Sequence, residues 1–94
     1  MHARVTHSTG SPASLEEVSR LITQHVIPVV QKQAGFRGGY WMFDRATGKR
    51  ISFTLWDSEQ AMQSSAASAQ QLRDQAPGGT QITGVEGYEV FARA

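Results

Sequence analysis

The chain has 94 residues, nine basic and eight acidic side chains, a formal net charge of +1 and no cysteine. That length makes one domain over 1–94, and so even a charge balance offers no long-range attraction for nucleic acid. Without cysteine, disulfides, thiolate nucleophiles and thiolate metal sites are excluded.

Hydrophobic residues are 39% and charged residues 18%, the profile of a globular chain. The first residues, MHARVTHSTG, lack an apolar core of signal-peptide length. No run approaches the ~18–20 apolar residues of a membrane helix. The default expectation is a soluble cytoplasmic protein with no membrane partner. A domain this small buries a modest share of its surface and often gains area by oligomerising.

Taken in chain order, residues 2–7 alternate and predict a short strand with Ala3 and Val5 on one side. STGSPA is turn material. Ser14 followed by Glu17 fits a capping box. Leu15, Val18, Leu21, Ile22, Val26, Val29 and Val30 then recur at helical spacing. Pro28 should kink this helix or end its regular part, and Gly35 is a natural stop.

The segment from Phe36 to Asp44 predicts a strand apolar on both sides, with Phe36, Tyr40 and Met42 on one and Trp41 and Phe43 on the other. Gly48 suits the positive φ of a longer hairpin loop. Ile51, Phe53 and Leu55 alternate through the next strand. Asp57 or Ser58 caps a second helix whose inner stripe is Met62, Ala66, Ala69, Leu72 and Ala76. The stop is Pro77-Gly78-Gly79, and a last strand runs from Ile82 to Ala92.

The order β-α-β-β-α-β is α+β, ferredoxin-like: a four-stranded antiparallel sheet with two helices on one face. The other face is bare in a monomer. With Trp41 and Phe43 pointing that way, burying each is worth roughly 2–3 kcal/mol. An exposed patch of that kind calls for a partner. The expectation is a homodimer joined through the open face of the sheet.

Other owners of this fold fail on residues. The third strand, RISFTLW, lacks the Gly-aromatic core of an RNA-recognition motif. No cysteine pair follows the first strand, as a metal chaperone needs, and HSTGSP is a poor anion loop for an acylphosphatase-like enzyme.

Other segments carry a resemblance: Pro28-Val29-Val30, GFRGGY from Gly35, DRATGK from Asp44, SFTLW from Ser52, DSEQAM from Asp57 and EGYEV from Glu86. In that order they resemble the antibiotic-biosynthesis-monooxygenase-like proteins of the dimeric α+β barrel superfamily. The resemblance implies two ferredoxin-like units whose sheets pack into a barrel, each with a cavity between sheet and helices. It implies cofactor-independent oxygenation of electron-rich aromatics such as quinols. The haem-degrading branch implies an iron-ligating histidine on the second helix. Residues 58–76 contain none, so haem degradation is not expected. Neither a cofactor nor a metal is expected.

His25, about 50° from the middle of the first helix's apolar stripe, is the candidate base, since imidazole titrates near neutrality. His7 is a candidate for a cavity mouth, and Trp56 for stacking on a flat ligand. Tyr40, Phe53, Leu55 and Met62 are cavity or core residues. The expected function is cofactor-independent oxygenation of a small aromatic or quinol-type compound. The alternative is a non-catalytic dimeric module that binds a small ligand or a protein.

Overall fold

The computed structural model describes residues 1–75 and 80–94. Ala76 and the Pro77-Gly78-Gly79 stop lie outside the described residues. Strand β1 is His2–Thr9, β2 Phe36–Phe43, β3 Lys49–Trp56 and β4 Gln81–Glu89. They form one antiparallel sheet in the order β2-β3-β1-β4, as the ferredoxin-like reading requires. The closing strand ends at Glu89, short of the expected Ala92, although the Val90 N–H still donates to the Met1 carbonyl at 2.8 Å.

Between β1 and β2 a 3₁₀ turn, Pro12–Ser14, leads into α1, Leu15–Leu21, then a π-helical turn, Ile22–Val26, and α2, Ile27–Gln31. The irregular turn precedes Pro28. It has a physical reason: a proline ring clashes with the carbonyl four residues back, and a wider turn makes room. Pro28 stands in the first turn of α2, which runs on directly from the π-helical turn. Ser14 does not form the expected capping box. Its hydroxyl donates to the Ser11 carbonyl at 2.8 Å, while Ser11 caps the 3₁₀ turn.

The second helical region is two helices, α3 Glu59–Ser64 and α4 Ala66–Asp74. Ser65 is buried at the break, and its hydroxyl donates to the Met62 carbonyl at 2.7 Å. Ser58, not Asp57, is the cap, accepting from the Ala61 N–H at 3.1 Å. Asp57 instead takes a two-pronged ion pair from Arg37, which holds its carboxyl below the usual carboxylate range.

The helices cover one face of the sheet. That face carries Arg4, Thr6 and Ser8 from β1, opposite Thr54, Ser52 and Arg50 from β3. Arg4 donates to the Met62 carbonyl of α3 at 2.6 Å, which fixes which way this row points. Trp56 closes the row at 0% exposure, with the Phe36 ring edge-on at 5.5 Å between centroids.

Strand β2 departs from simple alternation. Phe36 pairs with Trp56 and Gly38 with Leu55, so Arg37 is an extra residue, a β-bulge. Gly38 takes φ +132°, a backbone that side chains other than glycine's rarely adopt. The bulge reverses the parity of Phe36 relative to the rest of the strand. Phe36, Trp41 and Phe43 therefore share the helix face, and Tyr40 and Met42 share the open one. The expectation that Trp41 and Phe43 carry the open face is corrected accordingly. That face instead presents Tyr40, Met42, Ile51, Phe53, Leu55 and Tyr88, with Tyr40 66% exposed. The hairpin turn is as expected, Gly48 having φ +79°.

Candidate functional site

A cavity of about 300 Å³ lies between the helix face of the sheet and the segment from α1 to α2, with Leu72 and Arg73 of α4 at its side. Its existence follows from the strand sequences. At Thr6, Ser8 and Ser52 the two central strands put short polar side chains where a filled core would need large apolar ones. The helices supply Val18, Leu21, Ile22, Val26 and Ile27, and β2 supplies the flat rings of Trp41 and Phe43. The result is an apolar slot with aromatic walls and a few hydroxyls, the usual make-up of a small-molecule site.

Two charged side chains line the slot, Arg50 and Arg73, and no Asp, Glu, His or Tyr does among the described residues. Arg50 is 9% exposed. Its guanidinium donates to the Thr80 hydroxyl at 2.9 Å and to the Ser14 hydroxyl at 3.0 Å, while its buried Nε has no partner among the described residues. Gly10 packs against this group: a β-carbon there would stand 2.6 Å from Nη2. Arg73, at the end of α4, bonds Gln70 at 3.1 Å. Arg4, further along the same row, has its pKa drawn down by burial and then by the charge of Arg73.

The candidate residues from the sequence fall elsewhere. His25 is exposed on the π-helical turn and outside the lining of the cavity. Trp56 is sealed under α3, its Nε1 donating to the Thr54 hydroxyl at 3.0 Å and the Arg4 guanidinium lying 5.7 Å from its ring centre. Met62 is half-buried on α3. Tyr40 and Phe53 pair across β2 and β3 on the open face. His7 also lies on that face, 2.7 Å from Glu86. Tyr88 donates to the same carboxylate, and these two bonds hold Glu86 below its ordinary pKa while the carboxylate raises that of Tyr88. His7, Tyr40 and Phe53 therefore share one face, Trp56 and Met62 the space under α3, and the cavity has other walls.

Sequence reasoning missed Arg50, Trp41, Phe43 and the inward hydroxyls as cavity walls. A signal existed in the alternation Arg50, Ser52, Thr54 in a strand whose other side is Ile51, Phe53, Leu55. Its meaning depended on knowing which side faces the helices.

No helix among the described residues is long and apolar enough to cross a membrane. Among them, too, no three His, Cys, Asp or Glu side chains stand together as a metal site.

The fold of sheet and helix cover is shared with solved structures that include oxygenases and a haem degrader. The haem degrader MhuD from Mycobacterium tuberculosis, solved with two haems in its active site, is similar at TM-score 0.73 and 17% identity, over 100% of this chain and 99% of that one. The monooxygenase ActVA-Orf6 from Streptomyces coelicolor, solved with nanaomycin D, gives 0.65 and 19% over 99% and 88%. SnoaB, a cofactor-independent oxygenase from Streptomyces nogalater, gives 0.62 and 20% over 99% and 93%. No protein-family model and no curated protein matches the chain. The cavity does not fit a haem group: among the described residues no histidine, cysteine or tyrosine lines it to ligate iron.

Proposed function

We propose that this chain is a monooxygenase-like protein of the antibiotic-biosynthesis type that takes a small, flat aromatic compound into the cavity beneath α1 and α2. The observation that carries the reading is the slot itself: two aromatic walls, aliphatic helix residues and a floor of hydroxyls around about 300 Å³. The fold shared with the monooxygenase ActVA-Orf6 and with SnoaB supports oxygen chemistry on such a ligand. An apolar pocket suits cofactor-independent oxygenation of an electron-rich aromatic, because it excludes water from a reactive intermediate. The reading does not rest on His25, which lies outside the slot. The protein acts as a homodimer joined through the open face of the sheet, where Tyr40, Met42 and Tyr88 stand exposed.

The second reading, a dimeric module that binds a small ligand without turnover, draws on one observation: the described lining holds no imidazole or carboxylate to act as a base. Incubating the protein with a panel of quinols in air, under nitrogen and under ¹⁸O₂ separates the two. Oxygen-dependent product bearing the label, unaffected by His25→Ala, is expected. Binding without any labelled product would leave only the module.

A further inference from the structure

We propose that the cavity selects an anionic ligand, an aromatic carboxylate or phenolate, and that Arg50 is the residue that anchors its oxygen. The inference rests on the reading of the slot as a ligand site and adds the charge of what enters it. Arginine keeps its charge in proteins, and a buried guanidinium without a counter-ion is costly. Among the described residues two exposed arginines meet carboxylates, Arg37 with Asp57 and Arg45 with Glu16 at 3.6 Å, while half-buried Arg4 and Arg73 donate to the Met62 carbonyl and the Gln70 amide oxygen. Arg50, more deeply buried than any of these, meets only two hydroxyls, and no carboxylate lies within salt-bridge distance among the described residues.

The two hydroxyls fix the guanidinium plane from either side. The Ser14 hydroxyl has already given its own proton to Ser11, so its lone pairs are free to accept from Arg50. The buried Nε–H has no acceptor among the described residues. Arg73 adds a second positive charge to the same lining, and nothing acidic in the described lining offsets either. An apolar slot with fixed cations is built for a ligand whose ring meets Trp41 and Phe43 while its oxyanion meets the guanidinium. The guanidinium favours the ionised form of a phenol, so the ligand enters as the phenolate, its proton left with bulk water before it binds.

Calorimetric titration of the wild-type protein with 1-naphthoate and with its neutral isostere 1-naphthamide tests this. Naphthoate is expected to bind tighter by about tenfold or more, the scale of one charge-assisted hydrogen bond. Arg50→Gln should bring naphthoate down to the level of naphthamide and leave naphthamide unchanged. The Arg50 Nε resonance in the unmutated protein should move with naphthoate and stay still with naphthamide, which reads the same contact should the variant fail to fold. Equal affinity for the two compounds would overturn the anion proposal and leave the aromatic slot standing. A preference that survives in Arg50→Gln, or an unmoved Nε signal, would overturn the assignment to Arg50. Binding of neither compound would remove the slot and the proposal together.

Discussion

Arg50 and Trp56 stand at opposite ends of the same face of β3 and are buried for different reasons. Trp56 is a structural residue. Its ring fills the space between Phe36, Arg4 and α3, its one polar atom is satisfied by Thr54, and it shows no surface to a ligand. Removing it leaves a large void in a small domain with little else to lose. Trp56→Ala is expected to cost about 3–5 kcal/mol, enough to unfold much of a chain this size. Trp56→Phe should recover most of that, since only the indole's reach and its hydrogen bond are lost. Urea denaturation followed by far-UV circular dichroism measures both, and a loss under about 1 kcal/mol for the alanine variant would contradict the packing described.

Among the elements, β2 shows how far the pattern of residues could be read. The hairpin, its Gly48 turn and the helix that follows are legible because each has a local cause: alternation, a positive φ and a serine cap. The bulge at Arg37 is not, because one extra residue leaves no mark except the Gly38-Gly39 pair, which a dozen other causes also produce. From it follows the wrong face for Trp41 and Phe43, while the walls that β1 and β3 supply were hidden for another reason: alternation alone does not say which side of a strand faces the helices. The bulge also aims Arg37 at Asp57, tying the start of β2 to the entrance of α3, a link reinforced by the Asp57 N–H donating to the Gly35 carbonyl at 2.8 Å. The depressed pKa of Asp57 gives the pair a pH signature. Its stabilising effect is complete above the unfolded-state value, roughly pH 4, and is lost as pH falls through the lower folded value. Asp57→Asn should therefore lower the urea midpoint modestly at pH 7, and the gap from the wild type should close as the pH is taken from about 5 towards 2. A gap independent of pH would mean that the charge of Asp57 does not matter.

For the whole molecule, the distribution of apolar residues over the two faces of the sheet argues for a second copy. The central strands turn Ala3, Val5, Ile51, Phe53 and Leu55 away from the helices and Thr6, Ser8, Ser52 and Thr54 towards them. That is the reverse of what a sheet with one solvated face requires, where the apolar side packs on the helices. Tyr40 and Met42 continue the apolar side across β2, and Tyr88 continues it across β4. The only carboxylate within this patch among the described residues, Glu86, already accepts from His7 and Tyr88, so covering it leaves no carboxylate without hydrogen-bond partners. A second copy packed on this face would cover it and would leave each cavity on the far side of its sheet. Tyr40→Glu puts a charge at the most exposed aromatic of the patch without touching the slot. Sedimentation velocity at micromolar concentration is expected to show a dimer for the wild type and a folded monomer for Tyr40→Glu, with naphthoate affinity retained in the variant. A wild-type monomer under those conditions would remove the dimer. A variant that stays dimeric would move the contact off this face.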